Sequence, residues 1–384
     1  MTDIAPSQQP RVIAAAILLV TLVGVSLALS NPLLSLEMER WGLSSTIAGL
    51  TASAAGLGTV LAVPLVPRTA RRLGVPLTLG LALVAASGGM ILFWLWQDVW
   101  AWTALRFLLG CAIGVVFTLS EFWINAAADP ARRGTIMGIY ATALYAGFAS
   151  GPLLLTLSGT TGFAPYALTA ILIALGLVPL LLAGKKTPRV DQPASHSVLR
   201  FVIAVPTATF GALIFGAAET GIIVQLPVHN VRLGFSEQDA ALLLSAFTLG
   251  NVLMQMPLGW LSDRMDRRLL LLLLATSSAL LALALPLGPP GFWSFAGLLF
   301  LLGGASGAIY TVGLAHLGAR FSGADLAAAN AAFVLLYSVG LMIGPPVIGL
   351  GMDHLGRLGL PVAMTGMFGL YALLVLARMR AGPR

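Results

Sequence analysis

Three ionisable side chains lie well inside apolar runs of this 384-residue chain: Arg106, Glu121 and Glu219. A charge at membrane depth is costly unless it is paired or hydrated, so each is a functional candidate by default. Arg106 suits an anionic substrate group or the tuning of a nearby proton site. Its structural alternative is an arginine bonded to backbone carbonyls at a helix bend. Glu121 and Glu219 compete as proton carrier, because burial favours the neutral carboxyl and lets it load and release a proton near neutral pH. Glu219 stands between Gly216 and Gly221, beside Thr220, a polar patch suited to binding. Glu121 has a second reading, as the structural partner of an arginine at the nearer membrane face. Arg106 and Glu121 are fifteen residues apart, about 22 Å along a helix, so they serve different depths.

Other polar groups share these runs: Asn251, Gln255, Tyr310, Thr311, Asn330 and Tyr337, with Tyr140 and Tyr145. Tyr310, Asn330 and Tyr337 join Thr220 as candidate contacts for substrate or proton; about half of the whole set is expected to make interhelical hydrogen bonds only. His229 and His316 fall at predicted helix ends, where a solvated or capping histidine is expected. No cluster of histidine, cysteine or carboxylate has metal spacing, and no glycine-rich phosphate loop occurs. The expectation is therefore no metal, no cofactor and no ATP-driven work by this chain. Cys111, the single cysteine, reads as a small packing residue.

The elements that position these residues are membrane helices. The chain is 58% hydrophobic and 9% charged, with a mean hydropathy of +0.94, more apolar surface than a soluble domain can hide. It is arranged in runs of about 20 residues, the length that crosses a hydrocarbon core of about 30 Å. Twelve such runs are read at 12–35, 46–66, 75–96, 99–124, 135–158, 164–183, 201–226, 239–261, 269–288, 291–316, 326–350 and 359–377. The first is too long, and lacks the cleavage site, for a signal peptide.

A net charge of +7 does not point to nucleic acid, because the basic residues sort by side. With the N-terminus inside, 17 Lys and Arg fall on the cytoplasmic face, three (Arg40, Arg232, Arg357) outside, and Arg106 within the membrane. This asymmetry puts both termini in the cytoplasm; the resemblance described below implies the inner membrane of a bacterial cell. Trp94, Trp96, Trp100 and Trp102 crowd one turn as an interfacial belt.

The chain also repeats itself. At an offset of 193, Gly110, Ala112, Gly114, Thr118, Gly147, Gly151 and Pro152 fall on Gly303, Ala305, Gly307, Thr311, Gly340, Gly344 and Pro345. At an offset of 192, Arg40, Gly42, Ser44 and Gly58 fall on Arg232, Gly234, Ser236 and Gly250. The ionisable groups inside the first window do not repeat, since Arg106 meets Leu299 and Glu121 meets Leu314. A duplicated six-helix unit follows, with chemistry kept in one half and lost from the other. The expected division is a tail over 1–11, a six-helix bundle over 12–183, a linker over 184–200, a second bundle over 201–378 and a tail over 379–384.

After the eighth run the chain reads Gly259, Trp260, Leu261, Ser262, Asp263, Arg264, Met265, Asp266, Arg267, Arg268. This resembles the Gly-x-Leu-x-Asp-Arg-x-x-Arg-Arg signature of the major facilitator superfamily, in the loop where that family carries it. The resemblance implies a gating role for Gly259, Asp263, Arg264, Arg267 and Arg268, with Asp263 tying neighbouring helix ends together. The equivalent loop in the first half keeps Arg68, Arg71 and Arg72 but has Pro67 in place of the aspartate. Gly147, Gly151 and Pro152 are similar to a Gly-x-x-x-Gly-Pro element of proton-antiporting exporters in the superfamily, although Leu155 stands where a further glycine is usual. Arg106, Gly110 and Gly114 resemble its Arg-x-x-x-Gly-x-x-x-Gly element. The run from Ser120 to Asn125 is similar to a poorly characterised bacterial branch related to drug and metabolite exporters.

The expectation is an all-α membrane protein of twelve transmembrane helices, two six-helix bundles related by a pseudo-two-fold axis. It is expected to work as a secondary transporter by alternating access, coupled to protons and exporting a small amphipathic or anionic organic molecule. Its expected partners are that substrate, protons and membrane lipid, with no nucleic acid, and the monomer is the family default. The alternatives are proton-coupled uptake of an organic anion, a membrane-embedded enzyme acting on lipid, and a sensor that has lost transport.

Overall fold

The computed structural model describes residues 9–127, 133–183, 202, 204–285, 291–321 and 323–381. Among the described residues no strand occurs, and fourteen α-helices follow in chain order. They are α1 (Gln9–Arg40), α2 (Ser45–Ala62), α3 (Val66–Leu73), α4 (Val75–Leu95), α5 (Val99–Ala127), α6 (Arg133–Ser158), α7 (Ala164–Leu175), α8 (Leu177–Ala183), α9 (Pro206–Arg232), α10 (Glu237–Ser262), α11 (Arg267–Leu283), α12 (Phe292–Gly318), α13 (Gly323–Leu355) and α14 (Gly359–Arg380).

Each of the twelve apolar runs falls on one helix or on a broken pair. The sixth is split into α7 and α8 at Gly176, and the seventh enters its helix at Pro206, whose fixed φ suits a first turn. Nine stretches of the described residues are long and apolar enough to cross a membrane. One of them, Ala332–Arg380, takes in most of α13 and all of α14, while the Thr142–Ser158 part of α6 is a shorter apolar helix and α11 is 17 residues long. The short basic helix α3 is an element that counting apolar runs passes over. The segment 184–200, read as a linker, lies outside the described residues.

Two compact units form, Met1–Leu34 with Ala54–Pro193, and Ser35–Ser53 with Ala194–Arg384. The hairpin Ser35–Ser53 thus groups with the second unit, although in chain order it lies inside the first six-helix segment. In the second unit α9 packs chiefly along α13, α10 along α12 and α11 along α14; in the first, α4 packs on α5 and α7.

The repeat is visible as shared close contacts. A Cβ at Gly58 would collide with the carbonyl of Phe107, and one at Gly250 with that of Phe300. Gly110 lies equally close to the Ala55 carbonyl, and Gly303 to that of Phe247. Small residues let helix backbones touch where lipid supplies no hydrophobic drive between them. The turns repeat as well: Gly42 and Gly234 take φ of 71° and 103°, a left-handed region open mainly to glycine. The serine two residues later caps the next helix in each case, Ser44 Oγ accepting from Ile47 N and Ser236 Oγ from Asp239 N.

Candidate functional site

Glu219 sits in the middle of α9, half-buried, and two side chains from other helices converge on it. Tyr337 of α13 donates its hydroxyl to Oε2 at 2.7 Å, and Asn251 Nδ2 of α10 lies 3.5 Å from Oε1. Gln255, one turn along α10, donates Nε2 to Asn251 Oδ1 at 3.0 Å and so orients that amide. A carboxylate with donors on both oxygens has its charged form supported; the same donors leave room for a proton when it is neutral.

Glycines place these partners. A Cβ at Gly216 would crowd the backbone and ring of Tyr337, and one at Gly307 would strike Oδ1 and Cγ of Asn251. Gly307 is the repeat of Gly114, so a glycine read from the sequence as packing also makes space for a site residue. Beside the carboxylate, Phe215 stacks on Tyr337 with centroids 5.9 Å apart, and Tyr310 meets Phe215, Tyr337 and Phe333 at 5.5, 5.4 and 4.9 Å. Offset and edge contacts of this kind fix ring positions. The result is one charge-bearing group at an aromatic cluster. Of the sequence candidates, the structure brings together Glu219, Tyr310 and Tyr337. Thr220 is the half-buried neighbour of Glu219 on α9, and the Asn330 side chain lies outside the described residues. Asn251 and Gln255 join the site from the set noted for polarity alone, while Phe215 and Phe333 look in sequence like ordinary core residues.

Arg106 and Glu121 belong to the first unit, both on α5. Arg106 is 2% exposed, and neither Nε nor Nη2 has a hydrogen-bond partner among the described residues. Buried arginine nitrogens normally find acceptors, so the guanidinium has donors to spare for an anion. Glu121 is exposed, with the Tyr140 hydroxyl 3.4 Å from Oε1.

In the loop between α10 and α11, Asp263 is 71% exposed and its ion pair is local, to Arg267 at 3.2 Å. The helix N-terminus there is capped instead by Asp266, which accepts from Arg268 N at 2.7 Å and Leu269 N at 3.1 Å. Arg264 lies over the Trp260 ring, 3.4 Å from its centroid. Gly259 has an open side, with only a Thr311 methyl near its missing Cβ. Gly147 packs against Thr21 and Val25 of α1, and Gly151 against Ala28 and Leu29; Pro152 lies inside α6.

A polar network at the Arg40 end of the second unit is not evident in the sequence. Arg40 Nε donates to Glu237 at 2.9 Å and also pairs with Glu37. Arg232, its repeat, makes a bidentate pair with Glu39 at 2.8 and 2.7 Å. Asp353, in the last turn of α13, accepts from the backbone N–H of Ser45 and Thr46, both at 2.8 Å, so that its charge faces the N-terminus of α2. Gln225 Nε2 donates to the carbonyls of Ser45 and Pro345 at 2.8 and 3.2 Å. These bonds hold Ser35–Ser53 within the second unit.

The expectation of a solvated or capping His229 is corrected. The imidazole is fully buried, and neither ring nitrogen has a hydrogen-bond partner among the described residues. The reason is that α9 continues to Arg232, which puts His229 a turn inside the helix end. His316 is also buried, at 8% exposure.

A family model described as Major Facilitator Superfamily matches residues 16–237 and 208–384. An "uncharacterized MFS-type transporter", YfkF of Bacillus subtilis (strain 168), is 28% identical over 341 residues, covering 86% of this chain and 85% of that protein. YcaD of Escherichia fergusonii, of the same description, is 23% identical over 366 residues, 94% of each chain. Among solved structures, a bacterial homologue of the human lysosomal transporter Spinster, inward-facing and unoccupied, is similar with a TM-score of 0.79 at 16% identity, covering 97% and 96% of the two chains. The nucleoside transporter NupG follows at 0.74 and 16%, covering 97% and 98%. A D-xylose–proton symporter gives 0.71 and 17%, covering 95% and 96%. These structural likenesses show a common fold.

Proposed function

The chain belongs to the Major Facilitator Superfamily, and on that premise we propose that it is a proton-coupled secondary transporter with Glu219 as the proton carrier. It is an all-α, multi-pass membrane protein with the family's twelve-helix fold. In our reading it lies in the inner membrane of a bacterial cell with both termini cytoplasmic, and exports a small amphipathic or anionic organic molecule by alternating access.

The observation that carries the proposal is the convergence of Tyr337 and Asn251 on Glu219 beside an aromatic cluster. A carboxyl that can be held in either protonation state, next to apolar faces, can exchange a proton for an amphipathic cargo. Arg106 favours a second reading, in which the cargo carries a carboxylate or phosphate that takes up the guanidinium's spare donors. That second reading is proton-coupled uptake of an organic anion. Asp263, Arg264, Arg267 and Arg268 with Gly259, and Gly147, Gly151 and Pro152, keep the gating role that the family resemblance implies.

The test is proton movement in proteoliposomes with a trapped pH dye, challenged with lipophilic cations, organic acids and sugars. The proposal expects proton flux triggered by one class and lost in Glu219→Gln. Flux triggered by organic acids and lost in Arg106→Ala selects the second reading. Substrate flux without proton movement sinks proton coupling under both.

A further inference from the structure

A groove of about 550 Å³ runs along the outside of the first unit between α4 and α5, and the proposed transport chemistry makes no use of it. Its walls include Ala85, Gly88 and Gly89 of α4 and Leu105 and Ala112 of α5. The two glycines stand out, because a Cβ on either would meet nothing within 4 Å. Elsewhere glycines such as Gly58 and Gly110 let backbones touch; here they leave a slot open. On α4 the groove extends from Thr78 to Leu92, about 21 Å at 1.5 Å per residue. One leaflet of the hydrocarbon core is about 15 Å deep, so an acyl chain fits lengthwise.

One end of the groove is bounded by a basic helix. Thr69 and Leu73 of α3 line it, and Arg68, Arg71 and Arg72 on the same helix are all exposed. The corresponding loop of the second half explains why these cations stand ready. There Arg264, Arg267 and Arg268 come with Asp263, which pairs with Arg267, and Asp266, which caps the helix. In the first half the three arginines remain while the aspartates are replaced by Pro67 and Ala70. α3 contains no acidic residue, and its arginines form no ion pair with a carboxylate among the described residues. A basic amphipathic helix at the mouth of an apolar groove matches the two ends of an anionic lipid.

We propose that this groove is a binding site for one anionic phospholipid, its acyl chain along α4 and α5 and its phosphate held by Arg68, Arg71 and Arg72. The charge complement selects the headgroup, and the glycine slot retains the chain. The site does not depend on which substrate the protein moves or in which direction.

The test is native mass spectrometry of the purified protein after equilibration in mixed micelles holding equal amounts of palmitoyl-oleoyl phosphatidylglycerol and phosphatidylcholine. The wild type should retain one phosphatidylglycerol with a preference of about tenfold or more over phosphatidylcholine. Arg68→Gln/Arg71→Gln/Arg72→Gln should bring that preference close to one. Ala85→Leu/Gly89→Leu fills the slot on a face with open space and should lower retention of both lipids, while size-exclusion profiles confirm that both variants stay folded. Equal retention of the two lipids by the wild type overturns the proposal. So does a preference untouched by the arginine changes, or retention untouched by the filled slot.

Discussion

Tyr337 and Glu219, 118 residues apart in sequence, are joined by a hydrogen bond of 2.7 Å between hydroxyl and carboxyl. The bond links α13 to α9, the most extensive helix pair of the second unit. A hydrogen bond to a charged group contributes about 1.5–3 kcal/mol. Tyr337→Phe should therefore slow substrate-driven proton movement by about tenfold or more, since 1.4 kcal/mol is one decade. Measured as substrate exchange in a Glu219→Gln background, which keeps that activity, the same change should add nothing, because both substitutions act on one interaction. Additive losses would place Tyr337 in a separate role.

Gly307 is predicted to act through Asn251. A methyl at this position strikes the Asn251 carboxamide, so Gly307→Ala should lower transport as Asn251→Ala does, and the double variant should match either one. Gly366 and Gly369 of α14 offer the contrast, because a Cβ on either meets nothing within 4 Å. Their change to alanine should leave transport unchanged and, through helix propensity, raise stability by up to about 1 kcal/mol each. Thermal unfolding in detergent with a parallel flux assay separates the two cases.

The repeat-related glycines at backbone contacts carry a stability prediction. Gly303→Ala drives a methyl into the Phe247 carbonyl and Gly110→Ala drives one into that of Ala55. Overpacking of this kind costs about 1–3 kcal/mol. Both variants should melt lower than wild type, and lower than Gly366→Ala, by the same thermal assay.

At the Arg40 end, the Arg232–Glu39 pair is about a quarter exposed on each side, 28% and 25%. A double-mutant cycle of Arg232→Gln with Glu39→Gln should give a coupling of about 0.5–1 kcal/mol that shrinks as salt is raised. Asp353→Asn keeps the shape but removes the charge facing α2, and should cost about 0.5–1 kcal/mol. In the loop before α11, Asp266→Ala should destabilise by about 1 kcal/mol through the lost cap, more than Asp263→Ala does, because Asp263 is largely exposed.

The membrane architecture was legible because lipid leaves a chain few options: each crossing must be a helix of fixed length and apolar composition. The duplicated glycines were legible for a related reason, since a backbone contact tolerates almost nothing else. Glu219 stands out in the sequence as a charge in an apolar run, and Tyr337 and Asn251 as polar groups in others, yet their convergence does not, because they reach Glu219 from helices whose registers the sequence leaves free. The Arg40–Glu237 and Arg232–Glu39 pairs span 197 and 193 residues, so no local spacing announces them. The burial of His229 is hidden in the sequence because the apolar run ends at 226 while α9 continues six residues further, to Arg232. The Asp266 cap was within reach, as an acidic residue directly before a helical run.

The central claim is that Glu219 carries the coupled proton, and counterflow against gradient-driven transport tests it most directly. Wild type and Glu219→Gln are reconstituted with the substrate found in the panel, then assayed once with substrate on both sides and once under an imposed pH gradient. A glutamine that mimics the neutral carboxyl should keep substrate exchange across the membrane while the pH gradient no longer drives accumulation. Gradient-driven accumulation at the wild-type level in Glu219→Gln would contradict the account.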